Sequence, residues 1–182
     1  SLKGCARTSS YPQAAAAWAA QFDQAAASGG NATGAGQVLA DAMRSWSRYD
    51  LNGPAQFLNG LTPSPANDPA VVTYALQAGR VDPSTAMAWV AQISDPQAKA
   101  AASSALAVRM LASGQTDALN QAISSNALTP DQVQFLQQLP ANNPFILNRI
   151  ANRMGAAANP GGPQRGGFRG GFGGGRGGPG GG

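Results

Sequence analysis

The sequence contains no histidine and no glutamate, and it has a single cysteine, Cys5. Without histidine there is no Ser–His–Asp triad, no Cys–His dyad and no histidine-bound metal. One cysteine forms neither an internal disulfide nor a zinc–thiolate site. The sequence therefore predicts no catalytic residues, no cofactor and no metal ligands, and a protein that is not an enzyme.

Charges and long apolar runs are also scarce. Charged residues make up 11% of the 182 positions, against about 25% in an ordinary soluble domain. No apolar run approaches the length of about 18 residues that a membrane-spanning helix needs, so no transmembrane span is predicted. Runs of β-branched residues are absent as well, which argues against a protein rich in strands.

Composition divides the chain into three parts. Residues 1–10 form an irregular polar segment, residues 11–158 a helical domain, and residues 159–182 a low-complexity tail of Gly, Arg and Phe. The tail holds 14 of the 24 glycines, and it has three arginines and no acidic residue. Because the net charge of the whole chain is +4, the rest of the chain carries only +1 and is nearly neutral. A segment with so few large apolar side chains cannot bury enough apolar surface to offset the conformational entropy lost on folding. The composition therefore predicts disorder for the tail.

Helix starts are the clearest local signal in the domain. Proline fits the first helical position, and a preceding Asp, Asn or Thr can accept an unpaired backbone N–H. Such pairs occur at Asp68-Pro69, Asp82-Pro83, Asp95-Pro96, Thr129-Pro130 and Asn143-Pro144. Together with the apolar spacing, they predict helices near 12–28, 35–48, 53–61, 69–78, 83–93, 96–112, 116–125, 130–139 and 144–155. The predicted fold is all-α, with antiparallel helical hairpins stacked as a short α-solenoid or an irregular helical array.

The chain also shows an internal repeat. Residues 50–61 align with residues 82–93, and residues 116–123 continue the pattern. A single hairpin cannot bury its apolar face, whereas stacked hairpins share one core. We expect Trp18, Trp46 and Trp89 to pack in the core. The residues predicted to form the core shared between hairpins are Phe57, Trp89, Val90, Ile93, Leu119 and Ile123.

One resemblance rests on the aligned segments. The residues that carry it are Trp46, Tyr49, Asp50, Phe57 and Leu58, followed by Asp82, Pro83, Ala86, Trp89, Val90 and Ile93. In this pattern the chain resembles the degenerate helical-hairpin repeat proteins of environmental bacteria, which look like distant relatives of tetratricopeptide and HEAT repeats. The resemblance implies an interaction surface without chemistry.

The tail carries the most distinctive motif of the sequence. Its arginines and phenylalanines are Arg165, Phe168, Arg169, Phe172 and Arg176. The motif resembles the RGG boxes of RNA-binding proteins, in which Arg pairs with phosphates and Phe stacks on bases. Three arginines neutralise few phosphates, so binding of nucleic acid through the tail would be weak and salt-sensitive. We therefore favour a spacer or interaction tail over a dedicated RNA-binding segment.

The N-terminal segment offers a second motif. Leu2-Lys3-Gly4-Cys5 looks like a bacterial lipobox, which would make Cys5 a lipidation site and anchor the protein to an envelope by lipid. A lysine replaces the usual small residue, so we favour a simple free thiol at Cys5. The overall composition favours a bacterial envelope or an extracellular location over the cytoplasm.

Three functions remain open at this point. The first is a non-catalytic scaffold that binds a protein partner through its helical repeats, and this is the function we predict. The second is a nucleic-acid adaptor that uses the RGG-like tail. The third is a self-assembling subunit of a fibre or coat, which the low surface charge and the alanine-rich helix near 12–28 would favour.

Overall fold

A computed structural model describes residues 10–29 and 36–159 of the chain, and within these ranges it is entirely helical, with no strand. The all-α prediction is confirmed, and each predicted helix is present to within a few residues at its ends. The nine helices of the described residues are α1 (Ser10–Ser28), α2 (Gln37–Trp46), α3 (Asn52–Asn59), α4 (Asp68–Ala78), α5 (Pro83–Ala91), α6 (Pro96–Ala112), α7 (Thr116–Ser124), α8 (Pro130–Gln137) and α9 (Pro144–Ala158).

Four of the five predicted caps have the expected geometry. The side chains of Asp82, Asp95 and Asn143 each accept a backbone N–H in the first turn of the following helix. Thr129 does the same at the start of α8, where Gln132 completes a reciprocal capping box. These helices therefore begin where local chemistry alone would start them.

Asp68 is the exception, and the prediction that it caps its own helix is wrong. The side chain makes no capping bond to α4. Its buried carboxylate instead accepts the backbone N–H of Ser94, at 3.0 and 3.1 Å, and that of Asp95, at 2.8 Å. Asp68 thus joins the start of α4 to the connection between α5 and α6.

Five helices form a row across the molecule. In this row α1 packs on α2, α2 on α4, α4 on α6, and α6 on α9. The shorter helices pack beside it: α5 contacts α4, α6 and α7, while α3 lies against α1, α2 and α4, and α8 against α6. Contacts between α5 and α7 join two successive aligned segments, and contacts between α4 and α6 join the helices that follow α3 and α5, so the packing is compatible with a helical repeat array.

The shared core is close to the one predicted. Trp89, Val90, Ile93 and Leu119 are buried, and Phe57 and Ile123 are half-buried against the same cluster. The ring of Trp89 meets the ring of Tyr74 edge to face, with centroids 5.0 Å apart. The core therefore extends from α4 and α5 into α7.

The prediction for Trp18 is wrong, whereas that for Trp46 is confirmed. Trp46 is only 7% exposed, but Trp18 is 62% exposed. Helix α1 meets its neighbours through Ala16 and Ala19, which are fully buried, and position 18 lies on another side of the helix. The small alanine face allows close packing on α2 and leaves the indole of Trp18 outside.

Several predictions concern residues that the structure does not describe. Cys5, the segment 1–9 and the tail from residue 160 onward lie outside the described residues, as do Arg165, Phe168, Arg169, Phe172 and Arg176. Lipidation at Cys5 and nucleic-acid contact through the tail therefore stay predictions. Within residues 10–29 and 36–159, none of the helices has the length and apolar character that crossing a membrane requires.

Candidate interaction surface on α1 and α2

Three large aromatic side chains on α1 face outward. Tyr11, Trp18 and Phe22 are 79%, 62% and 51% exposed. Their spacings of seven and four residues place them along one side of the helix. The rings of Trp18 and Phe22 are stacked, with centroids 5.5 Å apart. We call these three residues the aromatic stripe.

The opposite face of α1 explains why the stripe is exposed. Beside its buried alanines, this face carries Asp23, which is also buried. One carboxylate oxygen of Asp23 accepts the backbone N–H of Leu39 at 2.8 Å. The N-cap position of α2 is Gly36, which has no side chain to cap the helix, so Asp23 supplies a cap from α1. This bond fixes the rotation of α1 and directs the aromatic stripe away from α2.

A groove lies between α1 and the C-terminal half of α2. Its volume is about 740 Å³, within the range of about 300–1,000 Å³ typical of ligand pockets. Ala15 of its wall lies between Tyr11 and Trp18 on the same side of α1, so the groove and the stripe adjoin. Tyr49, which is 91% exposed, stands at the rim. The lining of this α1–α2 groove is Pro12, Ala15, Asp41, Ala42, Ser45, Trp46, Tyr49 and Asp50.

Trp46 forms the apolar floor of the groove. Its ring lies against that of Phe57 of α3, with centroids 6.2 Å apart. Gly53, in the first turn of α3, leaves the space that this ring occupies. A Cβ atom at position 53 would come within 2.5 Å of Cζ2 of Trp46 and 2.6 Å of Oδ2 of Asp50. A side chain at position 53 would therefore push the indole toward the groove.

Two carboxylates lie beside this apolar floor. One oxygen of Asp41 accepts a hydrogen bond from the Arg44 guanidinium at 2.7 Å, and the Asp41 side chain remains largely exposed. Asp50 accepts the backbone N–H groups of Asn52 at 2.8 Å and Gly53 at 3.0 Å, which shapes the start of α3. Arg48 is exposed on the same connection. The groove thus combines apolar walls with carboxylate oxygens that can still accept hydrogen bonds.

Tyr74 links the groove to the core. Its hydroxyl donates to the carbonyl oxygen of Leu51, next to Asp50, at 3.1 Å. Burial raises the pKa of Tyr74 above its ordinary value, and the negative charge of Asp50 raises it further. The neutral phenol therefore holds the α2–α3 connection against α4.

The arrangement is suited to binding. Exposed aromatic faces attract apolar groups and cations such as guanidinium, and carboxylates pair with cations. The sequence pattern did not single out Tyr11, Trp18, Phe22 and Tyr49 as a surface. The signal that could have revealed it is the alanine-rich face of α1. Alanines offer the aromatic residues no large side chain to pack against on the same helix.

Comparison with protein-family models, with curated proteins and with solved structures gives no match.

Proposed function

We propose that this helical domain is a non-catalytic interaction module that binds a protein segment along the aromatic stripe and in the α1–α2 groove. The observation that carries the proposal is the exposure of Tyr11, Trp18 and Phe22 on a helix whose other exposed apolar residues are alanines. Trp and Tyr are the residues most often found at the energetic centres of protein interfaces. Contiguous exposed apolar surface of this kind marks interaction sites.

The shape and chemistry of the surface favour a segment with apolar and basic side chains. Trp46 and the alanines of the groove form an apolar binding surface, and Tyr49 at the rim presents an aromatic face. Asp41 and Asp50 lie where they can meet a guanidinium or ammonium group. A peptide anchored by an aromatic side chain and flanked by arginine or lysine fits these features.

The remainder of the domain acts as the scaffold in this proposal. We propose that the hairpins of residues 50–125 act as a short α-solenoid; the contacts of α4 with α6, and of α2 with α4 and α1, are compatible with this arrangement. Packing in such a row holds the inner helices from two sides, and α1 at its end packs on α2 and α3. The interaction surface lies at one end of this row.

The roles of the carboxylates support a non-catalytic function. Asp23, Asp50 and Asp68 accept backbone N–H groups, and Asp41 pairs with Arg44. The hydroxyl and N–H of Thr85 both donate to the carboxylate of Asp82, which lowers its pKa. These carboxylates are engaged in maintaining local structure, and the lowered pKa of Asp82 favours its ionised form, which is the opposite of what a general acid needs.

The experiment that tests the function is selection of binding peptides on the immobilised full-length chain from a displayed library of random sequences. We expect the enriched peptides to share an aromatic residue next to Arg or Lys. Their affinity should fall at least about tenfold in a Trp18→Ser variant, since a central aromatic anchor contributes about 2 kcal/mol or more.

Phe145→Ser is the matched control, because Phe145 of α9 is another strongly exposed aromatic residue away from this surface. The enriched peptides should bind this variant as tightly as the parent chain. Failure to enrich any peptide, or equal binding to the Trp18→Ser variant, would show that the aromatic stripe is not an interaction site.

A further inference from the structure

We propose that residues 160–182 of the Gly/Arg/Phe tail of the same chain occupy the α1–α2 groove and contact the aromatic stripe. The inference rests on the proposed function in using the same surface, and it adds the occupant and a means of regulation. An external partner would then have to displace the tail before it could bind.

The starting point of the tail places it near the groove. Asn159, the first residue of the tail and the last that the structure describes, is held by two side-chain hydrogen bonds. Its amide donates to the hydroxyl of Thr73 at 3.2 Å, and its carbonyl oxygen accepts from the amide of Gln37 at 2.9 Å. Gln37 is the first residue of α2, and the groove lies along the C-terminal half of that helix. The tail therefore leaves the domain at the opposite end of the helix that forms one groove wall.

The length of the tail is sufficient to reach the groove. From Gln37 to Trp46, α2 rises about 14 Å, at 1.5 Å per residue. Arg165 is six positions after Asn159, and a chain of that length spans up to roughly 20 Å. Each of the five arginine and phenylalanine side chains of the tail is thus within reach, with additional length to pass around α2.

The chemistry of the tail matches the surface. Phe168 and Phe172 suit the apolar walls of the groove and the stacked rings of the stripe. The arginines of the tail can stack on the exposed rings of Trp18 and Tyr49. They can also pair with Asp41, whose second carboxylate oxygen is not used by Arg44.

The charges around the groove limit the electrostatic part of this binding. Asp41 and Asp50 attract the tail, whereas Arg44 and Arg48 repel it. Aromatic and apolar contacts therefore carry most of the binding. Such contacts are individually weak, but a covalently linked segment meets its site at an effective concentration in the millimolar range. This advantage favours the tail of the same chain over a dilute external peptide.

Paramagnetic relaxation in the full-length chain tests the proposal. A nitroxide is attached at Gly171→Cys, between the two tail phenylalanines, in a chain that also carries Cys5→Ser. We expect the NMR signals of the Trp18 indole and of the Ala15 and Tyr49 amides to lose most of their intensity. Amides of α7, which contacts α5 and α6, should keep theirs.

Two full-length variants distinguish docking from chance proximity. Trp18→Ser combined with Tyr49→Ser removes two exposed rings and should restore the signals of the groove, because neither ring supports the core. Phe145→Ser should leave the broadening unchanged. Broadening that persists without Trp18 and Tyr49, or that is equally weak over the whole surface, would overturn the proposal.

A mixed sample separates the tail of the same chain from that of a second copy. Isotope-labelled chains without nitroxide are combined with unlabelled chains that carry it. Strong broadening of the groove signals in this mixture would show that a second copy supplies the tail, and the proposal would be wrong. Absence of broadening in the mixture, with strong broadening in the singly labelled chain, is the expected result.

The regulatory consequence has its own measurement. If the tail occupies the groove in about nine chains of ten, the apparent dissociation constant of a competitor rises about tenfold. Phe168→Ser combined with Phe172→Ser should therefore tighten the binding of a display-selected peptide by about that factor, and unchanged affinity would refute the competition. If the tail broadens the groove signals but no peptide is enriched from the displayed library, the docking inference is supported and the proposal of an external partner is refuted.

Discussion

At the scale of single residues, the aromatic side chains of this domain have two opposite roles. Trp89 and Tyr74 meet edge to face in the core, and Trp46 lies under the start of α3. Trp18, by contrast, has most of its surface in solvent and stacks on Phe22. Identical side chains therefore contribute to stability at one position and are available for binding at another.

The contrast between two tryptophans gives the first prediction. Trp89→Ala should lower the free energy of unfolding by about 3–5 kcal/mol, because a large buried side chain is removed and a cavity remains. Trp18→Ala is the matched variant, and it should change stability by less than about 0.5 kcal/mol, since an exposed residue is replaced by a better helix former. Urea unfolding of the full chain measures both. Equal losses in the two variants would contradict the assignment of Trp18 to the surface.

Tyr74 gives a prediction about pH. Because folding raises the pKa of this phenol, its contribution to stability is fully present below the ordinary value of 10.0 and is lost as the pH rises through the folded pKa. Tyr74→Phe should cost about 1 kcal/mol at neutral pH through loss of the bond to Leu51. The gap between the two proteins should shrink in alkaline urea unfolding. A gap that stays constant up to the folded pKa would refute this role.

At the scale of helices, side chains near helix ends connect one hairpin to the next. Asp68 accepts backbone N–H groups that precede α6, and Arg109 donates to the carbonyl oxygen of Leu76 near the end of α4 at 2.7 Å. Gln132 of α8 donates to the carbonyl oxygen of Ala100 on α6 at 2.9 Å. The bonds of Asp68 and Arg109 satisfy backbone groups at helix ends that a helix cannot satisfy by itself, whereas the carbonyl of Ala100 lies inside α6.

Asp68→Asn tests such a connection. An amide has one acceptor oxygen, and its NH₂ group would face the N–H of Ser94 or Asp95 without a partner. We expect a loss of about 1–3 kcal/mol in urea unfolding. Asp131→Asn, in the exposed first turn of α8, is the control. It should lose only a few tenths of a kcal/mol of unfolding free energy. Comparable losses in both variants would show that Asp68 acts only through its charge at a helix start.

At the scale of the whole molecule, the C-terminal end of the described domain meets the start of α2. The side chain of Asn159 after α9 bonds to Gln37 at the start of α2 and to Thr73 in α4. Helix α9 also lies along α6, three helices earlier in the chain. The row of helices is thus held together by contacts between segments more than a hundred residues apart, as well as by contacts between neighbouring hairpins.

Asn159→Ala should loosen this closure. Both side-chain bonds would be lost, at a cost of about 1–2 kcal/mol. Amide hydrogen exchange should accelerate in the last turn of α9 and the first turn of α2, with little change in α7. Asn152→Ala, on the exposed side of α9, should leave exchange unchanged or slower, because alanine favours the helix. If exchange accelerates in neither segment, the contact of the end of α9 with α2 and α4 depends on apolar contacts alone.

Much of the fold could be predicted because its signals are local. A capping residue before proline defines a helix start within a few positions, and Asp82, Asp95, Thr129 and Asn143 all behave in this way. The spacing of Trp89, Val90 and Ile93 likewise identified a buried face correctly. The candidate interaction surface could not be predicted in the same way, because exposure depends on which neighbours each helix finds.

By itself, the sequence determined that the domain is helical, where its helices begin, and which residues form the part of its core around Trp89, since these depend on side chains within one or two turns of each other. Tertiary structure alone decided that the alanine face of α1 packs inward and its aromatic face outward. It also decided that Asp68 serves a distant connection and that α9 continues to Ala158, where Asn159 meets Gln37 and Thr73. The physical reason is the same in each case: these outcomes depend on contacts between residues far apart in the chain, and the spacing of residues within one helix does not identify such partners.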